Sequence, residues 1–312
     1  MIKYFFIRLL SIIPIVLGVT FITFTIISFT PGNPGRLMLG LTATQEAVDD
    51  MNRQLGYDQP FFIRFFNYVK NAVTKFDFGI SYANRKPVVG QITSRFPTTF
   101  TLALTSVICS GLIGISLGIL SAVRQYSLAD TAVTFFALFM ASVPGFWLGM
   151  MLIRTFSLKL GWFPTSGLES WHGLVLPVIT LALPSSAGLM RMTRTTLLET
   201  IRQDYVRTAR AKGAPEKTVI LRHALKNAIL PIITSLGLGF GASLGGTVVI
   251  ESVFGLPGLG LLILDAIRKK DVPLVLATTI FLATIFCVCV LVVDLLYAVM
   301  DPRIKAKFAS GR

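Results

Sequence analysis

The sequence predicts an all-α integral membrane protein that crosses the bilayer six times as helices. Of its 312 residues, 53% are hydrophobic and 14% are charged, and the mean hydropathy is +0.72. Soluble globular chains carry about 25% charged residues. Six stretches contain no Asp, Glu, Lys or Arg and meet or approach the roughly 20 residues that a membrane helix needs. They are 9–29, 100–123, 132–153, 174–190, 228–250 and 274–293. Pro14, Pro144 and Pro231 lie within three of these spans and are expected to be accommodated there, because membrane helices tolerate proline.

The distribution of positive charge predicts the orientation. The chain has a net charge of +14, and most Lys and Arg residues lie in the N-terminal residues, the loop at 191–227 and the C-terminal tail. Short loops rich in Lys and Arg remain in the cytoplasm. Both termini are therefore expected inside. Because this bias accounts for most of the net charge, the composition argues against nucleic-acid binding.

These spans divide the chain into four parts. The first is an N-terminal transmembrane helix at 1–30, which is longer than a typical signal-peptide core and lacks a cleavage site, so it is expected to be retained. The other three parts are an extracytoplasmic cap segment at 31–97, a five-helix core at 98–300 with a cytoplasmic loop at 191–227 and an outer segment at 251–273, and a cytoplasmic tail at 301–312.

The cap segment contains helix signals. Thr42 or Thr44 can cap a helix that stops at Gly56, and Pro60 starts a second helix with an aromatic side. Two interpretations of the second helix are open: it lies at the membrane interface, or it packs on the bundle as part of a small outer cap. Its aromatic residues are Phe61, Phe62, Phe65, Phe66 and Tyr68.

The cytoplasmic loop predicts two helices that meet at a tight bend. Gly213 is a left-handed helix stop, Pro215 suits a first helical turn, and Glu216 favours the positive end of that helix. Such a bend can sit in a groove of a partner. The alternative is a well-capped loop that only fixes the topology.

The fifth span carries two patterns that resemble enzyme motifs. Gly241-Ala-Ser243-Leu-Gly245 fits a nucleophile elbow, but it lies inside an apolar helix without the strand–turn–helix context that this motif requires. Glycines 237, 241 and 245 are spaced for close helix packing. The alternative is a smooth wall of a translocation pathway. Its candidate residues are Ser235, Gly237, Gly241, Ser243 and Gly245.

Few residues suggest other chemistry. Two histidines and three cysteines, all three in apolar runs, give no metal-ligand pattern. No glycine is followed by lysine, so the sequence has no Walker A loop to hold nucleotide phosphates. Asp294, at the inner end of the last span, is expected to pair with a cytoplasmic arginine. The spans hold no charge of the kind that ion-driven carriers use.

Several motifs together resemble the inner-membrane permeases of binding-protein-dependent ABC importers, in the branch for dipeptides, oligopeptides, glutathione and nickel. The stretch Tyr205-Val-Arg-Thr-Ala-Arg-Ala-Lys-Gly213 is similar to that branch's form of the EAA loop. The resemblance covers almost the whole chain. The other matching stretches are Pro31-Gly-Asn-Pro34, Leu55-Gly-Tyr-Asp-Gln-Pro60, Arg222-His-Ala, Asn227-Ala-Ile-Leu-Pro231, Glu251-Ser-Val-Phe254, Pro257-Gly-Leu-Gly260, Asp294-Leu-Leu-Tyr297 and Asp301-Pro-Arg303.

The sequence departs from the family pattern at two places. Arg207, Thr208 and Ala209 stand where the general consensus has Glu-Ala-Ala, which favours the peptide branch over sugar or amino-acid permeases. Asn33 stands where an aspartate is usual, so a charge-dependent role at that position is in doubt.

The resemblance implies a type I ABC importer permease fold and two functional regions. One couples the chain to an ATPase, and the other forms an outer gate or a contact with the binding protein. The coupling residues are Tyr205, Arg207, Thr208, Ala209, Ala211, Lys212 and Gly213, and the outer ones are Glu251, Phe254, Pro257 and Gly258.

The resemblance also implies the partners and the substrate. The chain is expected to be a transport subunit of the prokaryotic cytoplasmic membrane, with no cofactor of its own; ATP and Mg are used by one or two partner ATPases. A second permease, paralogous or identical, completes the pathway, and an extracytoplasmic binding protein delivers di- or oligopeptides. Glutathione or a nickel chelate is the alternative substrate. An ion-coupled carrier and an intramembrane hydrolase using Ser243 are more distant alternatives.

Overall fold

The computed structural model describes residues 2–29, 32–40 and 42–300, and the predicted tail at 301–312 lies outside them. The described residues form helices and no strand, apart from one isolated bridge between Ile80 and Pro87. The helices are α1 (Ile2–Phe29), α2 (Pro34–Leu39), α3 (Gln45–Gln54), α4 (Phe61–Lys75), α5 (Val88–Val123), α6 (Leu128–Ser142), α7 (Gly145–Leu152, continued by a π-helix, Ile153–Lys159), α8 (His172–Ile201), α9 (Asp204–Ala211), α10 (Glu216–Thr218, continued by a π-helix, Val219–Ala224), α11 (Leu225–Gly246), α12 (Val248–Phe254), α13 (Leu259–Arg268) and α14 (Val272–Met300).

Five of the predicted spans correspond to continuous long helices. By length and composition, α1, α5, α8, α14 and the continuous run from Glu216 to Gly245 can each cross a membrane. Pro14 and Pro231 lie inside their helices, as predicted. The fifth span ends earlier than expected, since α11 stops at Gly246 and a separate helix, α12, begins at Val248.

The third predicted span is not one straight helix. The helix axes of α6 and of α7 with its π-helix differ by 99°. Val143 is extended (φ −79°, ψ 123°) and Pro144 starts the next helix. A residue before proline avoids the α conformation, and proline lacks the amide proton of a helical hydrogen bond. The prediction that Pro144 is accommodated within a helix was therefore wrong.

The centre of the bundle is the contact between α5 and α8. A Cβ added at Gly114 would lie 2.7 Å from Leu189 Cβ, and one at Gly118 would lie 2.7 Å from the Met190 carbonyl oxygen. Only glycine permits such close approach of two helices. This pair of glycines, four residues apart, fixes the position of α8, which leads directly to the predicted cytoplasmic bend.

The cap segment begins and ends its helices where the sequence predicts. Thr44 caps α3 by accepting a hydrogen bond from the Ala47 amide (3.4 Å), and the helix ends before Gly56, which has a φ of 73°. Asn33 caps α2 through the Arg36 amide and also accepts from the Asn52 side chain (3.0 Å). Its amide oxygen therefore holds α2 against α3 without a charge.

The second cap helix, α4, packs on the bundle. Phe61 and Phe65 meet Phe24 of α1 edge to face, with ring centroids 5.4 and 5.5 Å apart, and Tyr68 lies 6.0 Å from the same ring. Leu276 and Ile280 of α14 belong to the same apolar cluster. One aromatic face of α4 is thus covered by α1 and α14.

Candidate coupling bend and translocation groove

The predicted coupling bend is formed by a left-handed glycine after α9. Gly213 has a φ of 76°, its amide donates to the Arg210 carbonyl (2.9 Å), and the Ala214 amide donates to the Ala209 carbonyl (3.3 Å). These two bonds form a Schellman motif, which satisfies the last carbonyls of a helix. The predicted stop at Gly213 is confirmed. The chain then starts a new helix after Pro215.

The second helix of the bend differs from the prediction. It is not a separate short helix, because the chain continues from Glu216 through a π-helix into α11 without a break. No glycine or proline interrupts the sequence between Pro215 and Pro231, so nothing stops the helix there. The bend is therefore joined directly to a membrane span, and its position is tied to that of α11.

A buried apolar cluster anchors the bend to three spans. Val206 of α9 and Val219 are completely buried. They pack with Leu197 of α8, Ala122 of α5 and Ala228 of α11, while Ala209 and Ala214 pack on the edge of the cluster. Burying the side chain of a valine contributes about 1.5–3 kcal/mol. Because the cluster joins α5, α8 and α11, the bend is fixed to all three.

An ion pair crosses the bend. Arg210 Nη2 and Nε donate to the two carboxylate oxygens of Glu216, at 2.6 and 3.1 Å. The hydrogen bond to Glu216 raises the pKa of Arg210 above its ordinary value. The sequence suggested Glu216 only as a helix-start residue. Its partner was missed because Arg210 lies on the other side of a turn whose geometry the sequence does not specify.

The predicted coupling residues form an exposed surface at the end of the bundle. Tyr205 is 44% exposed, and the remaining predicted residues are also exposed except Ala209, which is half-buried against the apolar cluster. Arg207 lies 3.9 Å from Asp204, and both side chains are in solvent. Six of the seven predicted residues are therefore exposed in the described part of the chain, and Ala209 packs on the apolar cluster.

A small groove lies between α5, α8 and α11. It encloses about 160 Å³. The Oγ atoms of Ser106 and Ser243 donate to carbonyls of their own helices, at 2.6 and 2.8 Å. Their remaining lone pairs can accept hydrogen bonds. No charged residue contributes to this groove in the described part of the chain. The lining residues are Ser106, Val107, Ser110, Leu181, Ser185, Gly188, Leu189, Ser235, Leu236, Gly239 and Ser243.

The structure places the predicted pathway residues at three different locations. Ser235 and Ser243 line the groove. Gly237 and Gly241 instead lie against α14, where an added Cβ would overlap Val293 and press on the Phe286 ring. They therefore permit close packing of α11 on α14. Gly245 is exposed and borders neither the groove nor α14. Ser106, Ser110 and Ser185 also line the groove but were not predicted as pathway residues. The only sign of them in the sequence is a serine within an apolar span.

Ser243 has no catalytic surroundings. It lies within α11, and its hydroxyl donates to the Phe240 carbonyl. The strand–turn–helix of a nucleophile elbow is not formed here. Across the described ranges, no three His, Cys, Asp or Glu residues are grouped so that they could hold a metal ion.

The predicted outer-gate residues surround a buried carboxylate. Glu251 of α12 is fully buried and accepts from Thr99 Oγ1 (2.7 Å), Thr247 Oγ1 (3.0 Å) and the Leu261 amide (3.0 Å). The helices α12 and α13 meet here at 89°, and Gly258 leaves the space that the carboxylate fills.

This burial limits which outer residues can touch another protein. Phe254 is 2% exposed and Gly258 is buried, whereas Pro257 is exposed. In this conformation Glu251 and Phe254 lie inside the corner between α12 and α13 and stabilise it. The role of the four residues as an outer gate or a binding-protein contact remains a prediction.

Two ion pairs join helices near the ends that are predicted to be cytoplasmic. Arg194 of α8 binds Asp130 of α6, a pair that the sequence did not suggest because the two residues are 64 positions apart. Arg8 binds Asp294 at 2.9 Å. The second pair confirms the predicted arginine partner for Asp294 and joins α1 to α14.

Comparisons with known proteins agree with this architecture. Residues 114–306 match the family described as binding-protein-dependent transport system inner membrane component, and residues 1–103 match its N-terminal companion. The glutathione transport system permease proteins GsiC of Escherichia coli K12 and Shigella flexneri serotype 5b are each 40% identical to this chain over 307 residues, covering 98% of it and all of each relative.

A solved structure shares the fold. The methionine ABC transporter MetNI, in an inward-facing crystal form, has a chain that superposes with a TM-score of 0.58 and 17% identity, covering 68% of this chain and 96% of its own. At that identity the likeness supports the fold alone, a type I permease. The relatives are named as permease proteins, so this is a transport subunit rather than an enzyme. From the family matches and the 40% identity along its whole length, the chain belongs to the inner-membrane permease components of binding-protein-dependent ABC importers.

Proposed function

We propose that this chain forms one half of an import pathway for small peptides, driven by ATPase subunits that dock on its cytoplasmic bend. The observation that carries this proposal is the bend itself. Its surface around Tyr205 and Arg207 is exposed, while Val206 and Val219 beneath it are completely buried. The bend has one exposed side and one side that is packed on α5, α8 and α11. It can therefore transmit the movement of a docked ATPase to these three spans.

The direction of coupling follows from this anchoring. ATP binding closes the two ATPases and draws the docked bends together. Since each bend is continuous with α11 and packed on α5 and α8, the inner ends of these spans move with it. The pathway then changes from inward-open to outward-open, and hydrolysis resets it. ATP and Mg are held by the ATPases, which supply the phosphate-binding loop that this sequence lacks.

The serine groove supports a neutral pathway. Its serine hydroxyl oxygens can accept hydrogen bonds, and Gly188 and Gly239 leave open space beside them. Neither contribution places a charge in the groove. A second permease subunit, paralogous or identical, covers the open side of the groove. Selection among substrates then depends mainly on the extracytoplasmic binding protein, which meets the outer surface near Pro257. This assignment gives Ser235 and Ser243 a role in the pathway.

The substrate class rests on the relatives. The two named above transport glutathione, which is a tripeptide. We therefore assign a short peptide to this chain, with glutathione as its nearest example, and a nickel chelate as the alternative. The membrane is the prokaryotic cytoplasmic membrane, with both termini and the bend inside and the cap segment outside.

The test of this proposal is co-purification and transport. The chain is expressed with its second permease, ATPases and binding protein, and the purified complex is reconstituted for uptake of labelled glutathione and a labelled dipeptide. The chain purified alone should hydrolyse no ATP above background. Arg207→Glu places a negative charge where the docking surface has a positive one. It should reduce the amount of ATPase that co-purifies with the chain at least severalfold.

The chain provides a matched control. Arg53 is similarly exposed and pairs with Asp50 three residues earlier, as Arg207 does with Asp204, but it lies in the cap segment. Arg53→Glu should leave ATPase recovery unchanged. Equal recovery with Arg207→Glu and the unaltered chain would contradict docking at the bend. ATP turnover by the rigorously pure chain would contradict the permease assignment as a whole.

A further inference from the structure

The cap helix α4 has two apolar stripes, and only one of them is covered. Phe61, Phe65 and Tyr68 pack on α1 and α14. Phe62, Phe66, Val69 and Val73 follow at the next position of each turn, about 100° around the helix. Phe62 is 72% exposed, Phe66 66% and Val73 69%. The apolar arc of α4 therefore extends beyond the edge of α1.

Except for Ile63, which is 50% exposed, the rest of α4 is polar and positively charged. Asn67, Lys70 and Thr74 are exposed on the opposite side, and Arg64 and Asn71 line an outer pocket of mixed polar and apolar residues. The helix has no acidic residue, and Lys75 occupies its last turn. An apolar arc with aromatic residues, opposite a basic polar side, is typical of a helix that lies in a membrane interface.

The contacts of α4 set its depth. Phe24 lies five residues before the outer end of α1 at Phe29, a distance of about 7 Å along a helix. Leu276 lies four residues, or about 6 Å, inside the start of α14 at Val272. Both contacts are therefore inside the outer ends of two spans. Interfacial helices bury their apolar side to about 5–10 Å in the boundary between headgroups and acyl chains.

The neighbouring surface of α1 is apolar too. Phe21 of α1 meets Phe61 and Phe65 edge to face, with ring centroids 6.0 and 5.3 Å apart, and it is still 41% exposed. The uncovered stripe of α4 continues this surface, which belongs to a helix that crosses the membrane. We propose that α4 is an interfacial anchor: its stripe of Phe62, Phe66, Val69 and Val73 inserts into the outer leaflet, and Lys70 and Lys75 contact phospholipid phosphates. The anchor holds the cap segment at a fixed depth beside α1.

The test is lipid contact at single labelled positions in the assembled complex. In a background without the three native cysteines, Phe66→Cys and Val73→Cys are labelled with an environment-sensitive fluorophore. The complex is reconstituted in vesicles of phosphatidylethanolamine and phosphatidylglycerol. Nitroxide lipids should quench both labels severalfold, and more strongly when the nitroxide is near the headgroup than near the acyl-chain end. Asn67→Cys, on the polar side, is the control and should be quenched by a soluble reagent instead.

Each other outcome overturns the anchor. If the label at position 66 responds to the soluble reagent as the label at 67 does, the stripe faces water. If nitroxide lipids quench it in the isolated chain but not in the complex with its second permease and binding protein, a protein covers the stripe. A pair of charge variants gives an independent readout: Phe66→Asp should lower the amount of chain in the membrane severalfold, and Asn67→Asp should not. Equal amounts would also reject the proposal.

Discussion

Arg194 of α8 donates two parallel hydrogen bonds to Asp130 at the start of α6, from Nε to Oδ1 and from Nη2 to Oδ2, each 2.9 Å long. Asp130 is 5% exposed. Its carboxylate also accepts from the Ser121 hydroxyl at the end of α5 and from the Tyr126 amide. One carboxylate therefore joins the inner ends of α5, α6 and α8. These ends lie next to the cluster that anchors the coupling bend.

Loss of this clamp should destabilise the inner end of the bundle. Asp130→Asn removes the charge and one acceptor, and leaves a partly buried guanidinium without its ionic partner. Breaking a buried ion pair from one side costs about 3–5 kcal/mol; the partial exposure of Arg194, 27% of its side chain, places the expected loss at the lower end. The measurement is the apparent Tm of the detergent-purified complex.

The matched control is Asp204→Asn. Asp204 is also paired with an arginine, but the two charged groups are 3.9 Å apart without a hydrogen bond and lie in solvent, and such pairs contribute about 0–1 kcal/mol. Its Tm should not change measurably. A Tm for Asp130→Asn that equals that of the control would show that the clamp carries no stability.

Substitution of Glu251 should destabilise the contact between α12 and α13. Glu251→Ala leaves the Thr99 and Thr247 hydroxyls and the Leu261 amide without their acceptor. Each buried polar group left unsatisfied costs about 1–3 kcal/mol. We expect a large loss of folded protein for Ala and a smaller one for Gln, whose amide oxygen still accepts. Fluorescence-detected size-exclusion chromatography measures the folded fraction. The control is Glu169→Ala, which replaces an exposed acid and should give the profile of the unaltered chain. If Glu251→Ala gives that same profile, the hydrogen bonds of Glu251 do not stabilise the fold.

The sequence predicted the parts of this structure that depend on neighbouring residues. Thr44, Gly56 and Gly213 end or start helices through bonds to residues within five positions, and each prediction is confirmed. The break at Pro144 was missed because proline is tolerated in some membrane helices and only the packing around it decides. The contacts of Asp130 with Arg194 and of Glu251 with Thr99 join residues 64 and 152 positions apart. No periodicity in the sequence specifies such pairs.

The topology gives a labelling prediction. In a background without the native cysteines, Gln45→Cys should react with an impermeant thiol reagent on intact cells that lack an outer-membrane barrier, because α3 belongs to the cap segment. Glu216→Cys should react only after the membrane is opened. Both positions are exposed, so the difference reports the side of the membrane rather than burial. The opposite pattern would invert the orientation and remove the basis for docking at the bend.

Gly213→Val should uncouple transport while leaving the chain in the membrane. A φ of 76° costs a residue with a Cβ about 1–2 kcal/mol, and a β-branched residue more. No atom lies within 4 Å of the position that a Cβ would occupy, so the effect is conformational strain and not a clash. Relief of the strain re-aims α9 and the surface around Tyr205, whereas the spans and their apolar cluster remain. Uptake should therefore fall much more than protein level, and ATP hydrolysis should lose its response to the loaded binding protein.

Two further variants separate this effect from general damage. Gly213→Asn should retain most uptake, because asparagine adopts the left-handed conformation more readily than other residues with a Cβ. Gly161 has the same conformation (φ 67°) and the same open surroundings, but it lies in the connection after α7, far along the chain from the bend. Gly161→Val should therefore preserve the stimulation of ATP hydrolysis. If uptake by Gly213→Val matches that of the unaltered chain at equal expression, the bend fixes only the topology and the coupling lies elsewhere.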